Sequence, residues 1–185
     1  MPVKATSVPT HDREGHSLAL DSDLGKLFEH QLQDTYYAES AIIKALPKLI
    51  KVARSNELKA AFETHLRQTV EHVERLATVF EIVGRPAEGT PCEAIKGILR
   101  EGDEIVSQFG NTRAGDAGLA AAAQAVEHYE IARYGALRAW ARELGLKHAV
   151  TLLEATEVEE IDTDQILSDL SAQFNASAAG GRARP

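Results

Sequence analysis

The feature that most constrains the fold is a set of charged residues inside four otherwise apolar helix patterns. Apolar residues spaced three and four apart run over about 21–54, 58–83, 116–144 and 150–170, which predicts four long amphipathic helices. A charge in an apolar core costs on the order of several kcal/mol unless it is paired or bound to a metal. One such residue per helix, converging on a single interior, therefore predicts a polar layer that binds metal. The four residues on the stripes are Glu39, His65, Glu130 and Glu160.

The connections between the helices predict how they pack. The links around Ser55–Asn56 and Gly145–Lys147 are only a few residues long, so each joins two antiparallel neighbours. Residues 84–115 form a crossover in which Thr90 begins a capping box and opens a shorter helix, and Asp116 caps the next long helix. The predicted fold class is all-α: a four-helix bundle of two antiparallel hairpins, with a crossover containing a short fifth helix.

The two ends of the chain differ in composition from the bundle. Residues 1–20 mix Pro, Thr, Ser, His and charged residues without any period, and the last residues of the chain are low in complexity. We expect a flexible N-terminal arm over 1–20, the bundle domain over 21–172 and a flexible C-terminal tail over 173–185.

Charge and composition exclude several classes of protein. The formal net charge of -8 disfavours nonspecific binding to nucleic acid or to an acidic membrane surface. The single cysteine, Cys92, rules out an internal disulfide framework and fits a reducing compartment. No segment approaches the ~18 apolar residues of a membrane span, and the first residues lack the apolar stretch of a signal peptide. We therefore expect a cytoplasmic protein.

The register of the second hairpin places several carboxylates at one level. When the chain is folded at Gly145, Glu130 lies opposite about residue 161 and Glu127 lies opposite about Asp164. Residues three or four apart share a helix face, so both pairs of acidic residues point the same way. The layer then contains Glu127, Glu130, Glu160 and Asp164.

The first hairpin contributes to the same layer. Glu39 lies opposite about residues 69–70, with His65 and His72 one turn to either side. Carboxylates crowded in a dry layer cannot all stay ionised, because like charges repel, and cations would resolve the repulsion. Oxygen-rich ligation suits iron or manganese, and two bridged metals could react with dioxygen or peroxide. The predicted ligands are Glu39, His65, Glu127, Glu130, Glu160 and Asp164.

Several of these residues also have simpler interpretations. Glu127 can equally face solvent or pair with Arg133 or Arg138. His65 by itself is more often a satisfied core histidine, and it gains weight only from the carboxylate expected across the hairpin. His72 can substitute for it and ranks lower. Other glutamates on the helices are expected to face water: Glu71, Glu74, Glu154, Glu157 and Glu159.

Specific segments of the chain resemble a known family. The segment 124–130, Gln-Ala-Val-Glu-His-Tyr-Glu, is the most specific, and supporting segments lie at 32–39, 65–69 and 159–164. Over residues 22–171 the chain resembles the YciE/YciF-type ferritin-like proteins (DUF892), a bacterial stress-associated group. The resemblance implies a ferritin/rubrerythrin-like bundle, a homodimer and a di-metal centre, and it supplies no established reaction.

The chain departs from the ferritin pattern in one respect. That pattern has Glu-x-x-His on the second and fourth helices, and no Glu-x-x-His occurs in this sequence. Thr69 precedes His72 by three residues, and Thr163 follows Glu160 by three. Histidine ligands are therefore few, and a mononuclear site is an alternative to a dinuclear one.

Two functions follow from these observations. The first is a metal-binding stress protein with iron-oxidising or peroxide-related chemistry, in which Tyr36, Tyr37 or Tyr129 could donate a hydrogen bond near the metals. The second is a metal-free helical dimer with a structural or interaction role, whose buried glutamates pair with basic residues or carry protons. Replacing a carboxylate distinguishes them, because a ligand's loss lowers metal content, whereas loss of one partner of a buried ion pair destabilises the fold by about 3–5 kcal/mol.

Overall fold

The computed structural model describes residues 20–180, and no β-strand occurs among them. The helices that lie wholly within this range confirm the predicted fold class, a bundle of two antiparallel hairpins with a short helix in the crossover. In chain order they are α1 (Asp23–Val52), α2 (Asn56–Ile82), α3 (Glu93–Phe109), α4 (Gly115–Glu143) and α5 (Lys147–Ala178).

The four long helices form a closed square. Helix α1 packs against α2 and α4, and α5 packs against the same two helices, so α1 and α5 lie on one diagonal. The hairpin links are residues 53–55 and 144–146, which are too short to allow anything except antiparallel neighbours. The crossover helix α3 packs against α1 and α4 and covers that side of the square.

Three helix boundaries follow from the local sequence. The Ser22 side chain accepts a hydrogen bond from the backbone N–H of Gly25 and caps α1. The Ser55 side chain accepts from the N–H groups of the first turn of α2 in the same way. Gly84 follows the end of α2 with a φ of 68°, a left-handed conformation that favours glycine.

Two predicted caps are wrong. Helix α3 begins after Cys92, not after Thr90, whose backbone N–H and hydroxyl both bond to Gln33 on α1. Helix α4 begins after Ala114, and the Asp116 carboxylate instead accepts hydrogen bonds from the backbone N–H groups of Arg54 and Ser55 in the α1–α2 link. In both cases the side chain contacts a residue distant in the sequence, which a local sequence pattern does not reveal.

The last helix extends beyond the predicted end of the domain. Helix α5 continues to Ala178, so part of the segment predicted as a C-terminal tail is helical. The predicted arm over 1–20 lies outside the described residues except for Leu20. Among the described residues, no helix is both long enough and apolar enough to cross a membrane.

Two apolar clusters fill the two ends of the bundle. The cluster at the α4–α5 turn brings together the start of α1, the end of α2, the end of α4 and the start of α5, including Phe28, Phe80, Leu137 and Leu153. The cluster at the α1–α2 turn contains the opposite ends of these helices and α3, including Ile42, Phe62, Ile95, Leu119 and Leu167. The layer between the clusters is polar, and it contains the candidate site.

Candidate metal centre

Six titratable side chains form the polar layer, and water reaches almost none of their surface. Each of the four long helices contributes at least one of them. The largest exposed fraction among the six is 3%, at His65. The layer consists of Glu39 from α1, His65 and His72 from α2, Glu127 and Glu130 from α4, and Glu160 from α5.

The six side chains form two adjacent groups that share one residue. Within each group, ligand atoms lie within 4.8 Å of one another, close enough to surround a single ion at the ~2.0–2.2 Å metal–ligand distances found in proteins. The shared residue is Glu160, which can therefore contact ions in both groups. The first group is His65, Glu127, Glu130 and Glu160, and the second is Glu39, His72 and Glu160.

The two histidines point their ring nitrogens into these groups. The Nε2 atom of His65 lies 3.3 Å from Oε1 of Glu127, and its Nδ1 atom lies 3.8 Å from Oε2 of Glu160. The Nδ1 atom of His72 lies 2.9 Å from Oε1 of Glu160 and 3.5 Å from Oε1 of Glu39. His72, which the sequence favours less than His65 as a ligand, is therefore as central to the layer as His65, because both lie on the inward face of α2.

The layer leaves an unusual number of buried polar atoms without hydrogen-bond partners. Among the described residues, all such side-chain atoms belong to the six layer residues except Nε2 of Gln31. Both carboxylate oxygens of Glu130 are in this state. Native proteins satisfy most buried polar groups, so a cluster of exceptions calls for an explanation such as a bound ion. Carboxylate and imidazole donors are the ligands that iron and manganese accept.

Burial and mutual repulsion act on the carboxylates of the layer. Burial raises the pKa of Glu127 and of Glu130 well above the usual range, and the charge of Glu160 raises both further. Burial also raises the pKa of Glu39, although its hydrogen bond with His72 works against the change. Without a cation, these carboxyl groups hold protons more strongly than ordinary glutamates do.

The two histidines respond in opposite directions. Burial lowers the pKa of His65, so this imidazole is neutral and its nitrogen lone pair is available to a metal. Burial also acts to lower the pKa of His72, but the hydrogen bonds and charges of Glu160 and Glu39 outweigh it and raise the pKa to about 10. The same contacts, with burial opposing them, lower the pKa of Glu160. In the absence of metal, His72 and Glu160 form a buried ion pair.

A buried tyrosine also touches the layer. The hydroxyl of Tyr134 donates a hydrogen bond to Oε1 of Glu39. Burial raises the pKa of Tyr134 well above its usual range, so the hydroxyl stays a donor. The sequence suggested other tyrosines, and one of these, Tyr129, lies beside Cys92 with its hydroxyl 3.3 Å from the thiol sulfur. Tyr134 could have been found from its spacing, because it lies one turn after Glu130 on the same helix face.

The sequence predicts that Glu159 faces water, but in the structure its carboxylate contacts His72. Its Oε2 atom lies 2.8 Å from Nε2 of His72, and Arg75 donates to both of its carboxylate oxygens, at 2.7 and 2.9 Å. Burial acts to raise the pKa of Glu159, but the hydrogen bonds from Arg75 and His72 lower it. An ionised carboxylate on Nε2 keeps a proton there, which leaves Nδ1 as the atom that faces Glu160.

We expect Glu159→Gln to weaken metal binding by about 10–100-fold, because carboxylates that orient a metal-bound histidine typically contribute that much. Glu71→Gln is the matched control, since this side chain is 61% exposed and lies 3.5 Å from the same Arg75. Calorimetric titration with Mn(II) measures both variants. Equal affinities in Glu159→Gln and the wild type would show that Glu159 does not position His72.

One predicted ligand lies outside the two groups. The Oδ1 atom of Asp164 accepts a hydrogen bond from Gln124 at 3.1 Å and lies 3.4 Å from Nε2 of His128. Its side chain is 21% exposed, in contrast to the almost complete burial of the layer. The other five predicted ligands, Glu39, His65, Glu127, Glu130 and Glu160, lie within the groups. The alternative for Glu127, a solvent-facing side chain, does not describe its position.

Comparison with known proteins gives consistent matches over the bundle. A family described as a domain of unknown function, DUF892, matches residues 23–179. Protein YciF of Escherichia coli (strain K12) is 40% identical over 146 residues, which cover 78% of this chain and 88% of that protein. The crystal structure of the E. coli stress protein YciF superposes with a TM-score of 0.79 at 38% identity, covering 83% of this chain and 97% of that one.

A second solved structure is similar to the same extent. YcfI from Rhodopseudomonas palustris, described as a putative structural protein, is 42% identical. The match covers 80% of this chain and 94% of the other, with a TM-score of 0.77. The resemblance therefore extends over nearly the full length of both solved structures, and the family match over residues 23–179 spans all four helices that supply the polar layer.

Proposed function

The chain belongs to the YciF-like DUF892 family, and we propose that it is a stress-associated protein that binds two ions of iron or manganese in its polar layer. The observation that carries this proposal is the shared position of Glu160, which offers an oxygen to each of two adjacent groups of ligands. A carboxylate between two such groups supports a bridged pair of ions.

The charge of the layer supports the same number of ions. Its four carboxylates carry four negative charges when ionised, which two divalent cations would balance. In the metal-free protein, protons on the carboxyl groups and the His72 cation offset this charge, but they leave both oxygens of Glu130 without a hydrogen-bond partner. Metal binding would engage these oxygens and remove the repulsion that raises the carboxyl pKa values.

Bound iron or manganese would supply one-electron redox chemistry toward dioxygen or peroxide. The chain itself supplies an enclosed layer between two apolar clusters, from which bulk water is excluded. Tyr134 holds Glu39 by a hydrogen bond, and the Arg75–Glu159 pair holds His72. Ligands fixed in this way need little rearrangement when a metal arrives or changes its charge.

Metal content is the direct test of this proposal. The protein, purified without chelator and reconstituted separately with Fe(II) and Mn(II), is expected to retain about two ions per chain. Retention of no metal at micromolar supply would contradict the proposal. Oxidation of the retained iron by dioxygen and by peroxide can then be followed in the same samples.

Metal binding should release protons and weaken at low pH. The pKa of His72 is raised to about 10, so this side chain must lose its Nδ1 proton to bind a metal. Burial raises the pKa of Glu127, so protons compete with the metal for this carboxylate as well. Each proton displaced makes the apparent affinity fall about tenfold for each pH unit of acidification. Calorimetry in buffers of different ionisation enthalpy measures the protons released. An affinity independent of pH between about 6 and 8 would contradict this prediction.

A metal-free structural role is the second candidate, and one observation favours it. The ion pairs of His72 with Glu160 and Glu39 show that the layer can neutralise part of its own charge. The description of the R. palustris relative as a putative structural protein agrees with this role. In this case the layer would fix the register of the bundle and bind no metal.

We also propose that the protein is a homodimer, as its family resemblance implies. Helix α5 exposes Val158 and Ile161, one turn apart, at 51% and 47%. Such residues on one helix surface suit contact with a second copy. We expect Ile161→Glu to reduce the mass measured by light scattering from that of a dimer to that of a monomer. Leu27→Glu, at a similarly exposed position on α1, is the control. A monomeric wild type would contradict the proposal.

A further inference from the structure

A small apolar cavity lies beside the first group of ligands. It has a volume of about 20 Å³. Its outer residues, Ala45, Leu49 and Leu99, are partly exposed, and its inner end reaches His65 and Glu127. Between the two ends its wall is aliphatic, formed by Ile42, Leu46, Ala123 and Val126.

The size and lining of the cavity select what can occupy it. A cavity of this volume exceeds the ~10–15 Å³ that a single water requires. Water also needs two to four polar partners, which the inner end of the cavity offers at His65 and Glu127 but the aliphatic wall does not, and apolar cavities typically stay dry and accept small apolar molecules. Metal ions and hydrogen peroxide, which require polar contacts throughout their path, are poorly suited to this route.

We propose that this cavity admits and holds dioxygen next to His65 and Glu127. Dioxygen is small and apolar, so it matches the wall, and the inner end of the cavity delivers it to the first group of ligands. The inference rests on the proposed function, which supplies the two Fe(II) ions that dioxygen would oxidise. Two Fe(II) ions each give up one electron, and one dioxygen molecule takes both electrons and two protons from solvent to become hydrogen peroxide.

Dioxygen under pressure tests the cavity independently of any metal. In the metal-free protein, crystals under dioxygen pressure should show a diatomic molecule between Leu46 and Ala123 that is absent without pressure. Ala45→Leu should remove it by filling the partly exposed end, and Leu99→Phe should do the same from α3. Ala136→Leu, at a partly exposed alanine elsewhere on α4, should retain it. A water molecule in the wild-type cavity with and without pressure, or no density there, would overturn the proposal.

The iron-loaded protein gives a second readout. Ala45→Leu should slow oxidation by dioxygen at least about tenfold, equivalent to ~1.4 kcal/mol, while oxidation by hydrogen peroxide and the affinity for Mn(II) stay unchanged. Equal slowing with both oxidants, or wild-type rates with dioxygen, would overturn the proposal. If the wild type binds dioxygen under pressure but retains no metal, the proposed metal-binding function fails and the redox role of dioxygen fails with it, whereas the apolar gas site stands.

Discussion

The Glu160→Gln variant is expected to lose both metal ions. Its carboxylate offers an oxygen to both ligand groups, and its two oxygens lie 2.9 Å from Nδ1 of His72 and 3.8 Å from Nδ1 of His65. An amide keeps the size of the side chain but has no negative charge and only one acceptor oxygen. We expect metal content to fall from about two ions per chain to about zero, measured by elemental analysis after reconstitution with Fe(II) or Mn(II).

Single replacements in one group should have a smaller effect. Glu39→Gln removes a ligand of the second group only, and Glu127→Gln removes a ligand of the first group only. Each is expected to retain about one ion per chain. Glu157→Gln is the control on α5, because its carboxylate pairs with Arg138 instead of facing the layer. Two ions retained by Glu160→Gln would show that Glu160 does not bridge the groups.

The Glu130→Gln variant is expected to be more stable than the wild type when both are free of metal. Burial raises the pKa of Glu130 well above its usual value of 4.5, with the charges of Glu160, Glu39 and Glu127 adding to the effect. An uncharged amide of similar size avoids this cost, and the gain should be about 1–4 kcal/mol. For a chain of this size, the melting temperature rises by about 2–4 °C per kcal/mol.

The gain should depend on pH with a definite sign. The folded wild type retains a proton on Glu130 that the unfolded chain releases above about pH 4.5, so this group contributes less stability as pH rises. Glu130→Gln removes this dependence, and its advantage should therefore be larger at about pH 8 than at about pH 5. Thermal melts in chelator measure both values.

The opposite result would favour the structural role. If Glu130 serves only in a satisfied network of buried polar groups, its replacement should destabilise the metal-free fold, by about 3–5 kcal/mol where a charged partner is left behind. Addition of Mn(II) separates the two roles further. It should raise the melting temperature of the wild type and leave that of Glu130→Gln less affected, since binding to the folded state alone adds stability.

Much of the site was predictable because a charged residue on the apolar face of a helix leaves the spacing of the surrounding apolar residues intact. Glu39 and Glu160 interrupt stripes that are apolar on both sides, and such a position in a bundle can only be buried. The short hairpin links then fix which levels of neighbouring helices meet. Glu127 followed from that register, and the register added weight to His65, which lies on the stripe of its own helix, although each was compatible with another environment.

The remaining features depend on contacts that no local pattern records. Glu159 lies next to Glu160, and only the packing of α5 against α2 brings it to His72 and Arg75. Asp164 shares a helix face with Glu160, but its carboxylate meets Gln124 and His128 outside the two ligand groups. The sequence predicts that Asp116 caps α4, but its carboxylate accepts hydrogen bonds from the backbone N–H groups of Arg54 and Ser55 in the α1–α2 link. In each case the tertiary partner determines the role of the side chain.

Anomalous diffraction from crystals of the protein soaked in Mn(II) tests the dinuclear site most directly. Two peaks are expected in each chain, one among His65, Glu127 and Glu130 and the other between Glu39 and His72, with Glu160 contacting both. Crystals with no peak in this layer, or with manganese bound only at exposed carboxylates, would contradict a dinuclear site between the four helices.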